Sequence, residues 1–140
     1  MSTLGELGEF EVIRRLTAAR ERSGAADPCA GVVVGSGDDA AVLRPAPGSD
    51  LVATTDAFVE GGHFLREWCS PRVAGARLAQ ANLSDLAAMA AIPRWALLSI
   101  GARRESEVAD LVAFQSGLSD ALEAAGAVLV GGNLAAVAGA

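Results

Sequence analysis

Residues 95–130 read WALLSIGARRESEVADLVAFQSGLSDALEAAGAVLV, and this stretch decides the fold. Its first six residues, 95–100, are apolar apart from Ser99 and read as a strand. The period then changes. From 106 to 125, Val108, Leu111, Val112, Leu118 and Leu122 fall on a common helical stripe that Gly126 brings to an end. Residues 127–130 are a short apolar run again, a second strand.

Working outward, Ser70-Pro71 is a strong helix start, an N-cap serine followed by proline at the first helical position. That helix runs to about residue 91, before Pro93. Further upstream lie three short strand patterns. Residues 32–34 are stopped by Gly-Ser-Gly at 35–37, residues 40–43 run into the turn Pro45-Ala46-Pro47-Gly48, and residues 51–56 form the third. Residues 4–22 are helical in pattern, with Phe10, Ile13, Leu16 and Ala19 at spacings of three, and residues 24–28 break them. Residues 134–137 are a further strand candidate. No internal repeat or long linker occurs. The order of elements gives an α/β (α+β) domain over 1–140, a mixed sheet with helices packed on one face.

Composition narrows the function. Of 140 residues, 51% are hydrophobic and 20% charged, enough for a core and unlike a disordered chain. The net charge of -6 and a pI near 4.7 argue against a nucleic-acid surface. All eleven basic residues are arginine. A Walker lysine, a Schiff-base lysine and a lysine general base are thereby excluded, and an acidic chain that handles phosphate must recruit cations. Cys29 and Cys69 lack CxxC spacing, and with one histidine in the chain a structural zinc site is disfavoured. A disulfide stays open, with a reduced cytoplasmic protein the plainer expectation. The N-terminus lacks the order of a signal peptide. The charge-free run 124–140 falls just short of the roughly 18 residues a spanning helix wants, so no membrane partner is expected.

Three clusters of oxygen donors stand out. In Gly35-Ser36-Gly37-Asp38-Asp39-Ala40-Ala41-Val42, two adjacent carboxylates repel unless a cation is near, although a solvated Asp-rich turn has the same pattern. In Thr54-Thr55-Asp56, strand alternation puts Thr54 and Asp56 on one face, and their oxygens suit a hard cation such as Mg²⁺. Thr55 has its backbone carbonyl to offer. Threonine is also simply common in strands. The third cluster is AQANLSDLAAMAAI at 79–92, where Asp85 is the sole ionisable residue. Leu78, Asn82, Asp85 and Met89 share a helix face, and an ionised carboxylate buried there would need a metal or partner. The bland reading places Asp85 in solvent beside Ser84. Gly131-Gly132 follows a strand, where it would let backbone N–H groups approach a phosphate, although a glycine pair also marks an ordinary tight turn. His63, the lone histidine, is by prior more often structural than catalytic.

Together these segments resemble thiamine-monophosphate kinase in order and spacing. The matching pieces are Gly8-Glu9-Phe10, the run 35–42, Thr54-Thr55-Asp56 with Val59-Glu60-Gly61-Gly62-His63-Phe64, Asn82-Leu83-Ser84-Asp85-Leu86-Ala87-Ala88-Met89, and Val130-Gly131-Gly132. They cover nearly the whole chain. The wider superfamily includes aminoimidazole ribonucleotide synthetase, selenophosphate synthetase and a hydrogenase maturation protein; His63-Phe64 and the NLSDLAAM run favour the thiamine branch. The resemblance implies the N-terminal domain of the aminoimidazole ribonucleotide synthetase-like fold, and transfer of the ATP γ-phosphate to thiamine monophosphate, giving thiamine diphosphate. It implies that Asp39, Thr54, Thr55, Asp56, Asp85 and Asn133 hold Mg²⁺, that His63 contacts substrate, and that Gly132 and Asn133 meet ATP. No protein nucleophile is required, because phosphoryl transfer needs mainly positioning and charge stabilisation. A cytoplasmic homodimer is implied as well.

Three departures qualify it. Asn133 stands where the family has aspartate, and Gly62 and Ser36 stand where a larger apolar residue and isoleucine are common. The family also continues past Gly-Gly-Asp into another strand and a second domain. The expectation is therefore a nucleotide- and metal-binding domain that is inactive alone. The alternatives are a non-catalytic remnant that only dimerises, and another ATP-using enzyme of the superfamily.

Overall fold

The strand–helix–strand unit is the centre of the structure, a computed structural model that describes residues 2–21 and 31–138. Strands β3 (Trp95–Arg103) and β4 (Val128–Val137) pair in parallel, and helix α4 (Val108–Ala124) connects them. Parallel neighbours cannot be joined by a tight hairpin, so a crossover is obligatory, and α4 supplies it. The α4 stripe faces inward as its period predicts: Val108, Leu111, Leu118 and Leu122 are buried, and Val112 packs against them.

Both strands are longer than their apolar runs. β3 continues through Gly101, Ala102 and Arg103, and the runs at 127–130 and 134–137 fuse into one strand. Gly131-Gly132 therefore lies inside a strand and not in the turn its sequence suggests. The reason is steric. Gly132 pairs with Leu98, and a methyl group at Gly132 would collide with the Leu98 carbonyl. Ala96 faces Leu129 while Leu97 faces Gly131, which makes Val130 the extra residue of a β-bulge.

One face of this ladder is covered and the other is open. Leu98 and Ala102 point into the core, whereas Leu97, Ser99, Gly101 and Arg103 are exposed. Helix α3 (Pro71–Ala88) joins α4 on the covered face, placing Ala79 against Leu98, Leu118 and Leu122. Ser70 caps it, its Oγ accepting the Val73 N–H at 3.4 Å, with Pro71 in the first turn. The helix ends three residues before 91 because Ala90 adopts φ +54, and the Ala91 N–H turns back to the Leu86 carbonyl. Helices α3 and α4 cross backbone to backbone: a methyl at Gly75 would strike the Phe114 carbonyl, and one at Gly117 the Arg72 carbonyl.

The N-terminal helix is two helices, α1 (Leu4–Leu7) and α2 (Glu9–Glu21), separated at Gly8 with φ +75. Thr3 and Glu6 form a reciprocal capping box on α1. The inward face is Leu4, Val12 and Leu16, which pack with Ala102, Leu111 and Leu134. The expected stripe through Phe10 and Ile13 is thus wrong, and Phe10 is 88% exposed. The break at Gly8 and packing on α4 set the phase, and buried Gln115 donates to the Leu16 carbonyl at 2.8 Å. The side chain of Ala19, the break at 24–28 and Cys29 lie outside the described residues.

Strands β1 (Val32–Val34) and β2 (Val42–Leu43) form a separate antiparallel pair. The fold is α/β with both pairing senses present, as expected, divided between two two-stranded ladders among the described residues. Residues 51–56 are not a strand. They have no ladder neighbour among the described residues to supply cross-strand hydrogen bonds, and Leu51 is exposed. Among the described residues, no helix is long and apolar enough to cross a membrane.

Candidate functional site

Two contacts gather four of the sequence segments singled out above into two pairs. The first joins Thr54 to Asp85. Thr54 Oγ1 donates to Asp85 Oδ2 at 2.8 Å, across 31 positions. Asp85 is exposed, so burial cost does not explain a lone acid on this helix; Asp85 reaches sideways to the segment at 54–56. It stands in the last turn of α3, where the helix dipole disfavours negative charge, and no basic residue shares that turn. Thr55 and Asp56 are exposed beside Thr54. A hydroxyl and a carboxylate side by side are hard oxygen donors of the kind Mg²⁺ accepts, and Mg²⁺ keeps several waters, needing only one or two carboxylates.

The second contact joins the glycine turn to β4. Ser36 Oγ donates to the Val130 carbonyl at 3.0 Å, beside Gly131, Gly132 and Asn133. In that turn Gly37 has φ +115, and the Asp39 N–H bonds Asp38 Oδ1 at 2.9 Å. Asp38 and Asp39 are exposed. Asn133 is exposed opposite Ser99 on the open face of the ladder, and Gly132 has the steric role in the ladder already described. Among the described residues, no group of three or more His, Cys, Asp or Glu side chains gathers closely enough to hold a metal by itself.

His63 occupies a third place. Its Nδ1 accepts the Val59 N–H at 3.1 Å, which leaves Nε2 to carry the proton of the neutral ring. Its ring lies 5.9 Å from that of Phe58, which stacks on Phe64 at 5.1 Å. Arg77 of α3 lies 5.9 Å over the Phe58 ring. Arg66 fastens the same loop to α4, meeting Glu60 at 3.3 Å and Asp110 at 2.7 Å. The sequence reading missed Arg66 and Ser36 as tethers, since each acts across distances no local pattern reveals. Among the described residues, Cys69 has no disulfide partner.

An acid at a helix end bonded to a threonine, and a glycine-rich strand tied to an Asp-Asp turn, define a protein class by comparison with known proteins. The description "AIR synthase related protein, N-terminal domain" fits residues 37–140, and the chain belongs to that family. Within it, the chain resembles thiamine-monophosphate kinases. It is 41% identical to that of Corynebacterium glutamicum over 133 residues, 94% of this chain and 37% of the relative. It is 45% identical to that of Caulobacter vibrioides over 112 residues, 80% of this chain and 30% of the relative. The crystal structure of thiamine-monophosphate kinase from Stenotrophomonas maltophilia superposes with a TM-score of 0.71 at 32% identity, over 94% of this chain and 39% of that one. The chain thus spans under two fifths of the length of these relatives.

Proposed function

We propose that these 140 residues are the ATP- and Mg²⁺-binding part of a kinase that phosphorylates thiamine monophosphate to thiamine diphosphate. The observation that carries the reading is the Thr54–Asp85 contact at 2.8 Å. It pairs two oxygen donors from segments matched to thiamine-monophosphate kinases, at a helix end whose dipole favours a cation by about 0.3–1 kcal/mol. When bound, Mg²⁺ would neutralise phosphate charge that this lysine-free chain has few cations to meet.

In this reading Asp85, Thr54, Thr55 and Asp56 hold metal from one side, and Asp39 and Asn133 from the side of the glycine turn and β4. Gly132 and Asn133 border the nucleotide, and His63, oriented through Nδ1, presents Nε2 to the acceptor. The acceptor's own phosphate oxygen attacks the γ-phosphorus, so the protein orients and supplies no nucleophile. The acceptor pocket is completed by sequence that the longer relatives carry beyond the matched region. The setting is cytoplasmic. We propose further that two copies pair, because Leu97, Val33, Val42 and Val137 leave apolar surface on the open sides of both ladders.

A coupled ADP assay with ATP, Mg²⁺ and thiamine monophosphate tests the reading. The chain alone is expected to turn over far below about one per second, the low end of the ordinary enzyme range, and the remaining part of a matching relative supplied in trans is expected to raise it. Turnover near one per second by the chain alone would refute the division of labour. A complemented sample that uses another acceptor and ignores thiamine monophosphate would refute the substrate.

A further inference from the structure

We propose that Ser36 is a positioning residue, whose hydroxyl straps the turn presenting Asp38 and Asp39 onto the bulge of β4 immediately before Gly131, Gly132 and Asn133. What the two segments bind rests on the function proposed above; how they are joined rests on geometry alone. Val130 is the bulge residue, left out of the β3 ladder between the pairs Ala96–Leu129 and Leu97–Gly131. A backbone carbonyl in that position must find its partner elsewhere. Val130 is 3% exposed, so bulk water is a poor substitute. Ser36 Oγ supplies the partner at 3.0 Å, from 94 positions away.

The strap holds a compact turn. Ser36 bridges Asp38, Gly37 sits at φ +115, and the Asp39 amide is held by Asp38 Oδ1 at 2.9 Å. A turn so closed on itself moves as a body when its anchor moves. The bulge therefore does two things. It frees the Val130 carbonyl for Ser36, and it shifts register so that Gly131 and Asn133 share the open face with Leu97 and Ser99. One hydrogen bond thus sets the place of two acids against the stretch of β4 proposed to border the nucleotide.

The test uses Ser36→Ala, which deletes the hydroxyl, and Ser36→Thr, which keeps it. Exchange of backbone amides at 35–41 is measured without ligand, and Mg²⁺–ADP affinity by calorimetry. The net worth of one neutral hydrogen bond sets the expected effect of Ser36→Ala at about three- to tenfold in each. Amides of the two long helices should keep their protection, the melting temperature should fall by no more than about a few degrees, and Ser36→Thr should restore both readouts. Unchanged exchange at 35–41 would overturn the strap whatever the nucleotide does. Faster exchange with unaltered affinity would overturn the positioning role, as would loosening that spreads to the helices. A parent chain that binds no Mg²⁺–ADP would refute the nucleotide reading and the positioning role with it, while the exchange data still judge the strap.

Discussion

Asp85 shows what one residue's surroundings add to its sequence. The sequence marks it as a lone acid on an apolar helix and leaves burial or solvent as the choice. The structure gives a third state, exposed and bonded to Thr54. That follows from a contact across 31 positions, which no local periodicity contains. Asp85→Asn keeps the shape and an oxygen to accept the Thr54 hydroxyl. Because the site is exposed, its stability effect should stay within about 0.5 kcal/mol. Magnesium–nucleotide affinity should fall at least about tenfold, equivalent to roughly 1.4 kcal/mol. Calorimetry together with a thermal melt measures both; parent-like affinity would remove Asp85 from the metal-holding set, and a large drop in melting temperature would make its role structural. Ser36 and Arg66 are the opposite case. Neither shows a tethering role in the sequence, and only their partners Val130 and Asp110 give them one.

At the scale of elements, legibility followed the strength of the period. The α4 stripe was readable because five apolar residues keep helical phase over four turns and all meet the core. The phase of α2 was not, since Phe10 and Ile13 mimic a stripe while Val12 and Leu16 make the contacts. Residues 51–56 have strand composition without a strand neighbour among the described residues. Gly131-Gly132 reads as a turn until β3 is beside it, when the same glycines become the reason the ladder closes. Gly75 and Gly117 carry the same lesson between helices. Ala at either position has better helix propensity by about 1 kcal/mol, yet its methyl would strike the facing carbonyl, and overpacking costs typically 1–3 kcal/mol. Gly75→Ala and Gly117→Ala are therefore each expected to lower stability in urea unfolding despite their propensity, because backbone, unlike a side-chain tip, has little room to give. A stabilised variant would mean that the helices cross farther apart than described.

For the whole molecule, the class of fold was accessible from the alternation of periods, and the candidate site only as separate motifs. The assembly of Thr54 with Asp85, and of the Asp-Asp turn with β4, is a property of the folded chain. The open side of the ladders belongs to this scale as well. If two copies cover it, sedimentation at micromolar concentration should give a dimer, and a monomer would contradict the pairing. The central claim is that the chain holds nucleotide through a divalent cation, its own basic residues being eleven arginines against seventeen acids. Calorimetric titration with a non-hydrolysable ATP analogue, once with Mg²⁺ and once with EDTA, tests it most directly. The account predicts binding heat with Mg²⁺ and none with EDTA; equal heats in the two titrations would contradict it.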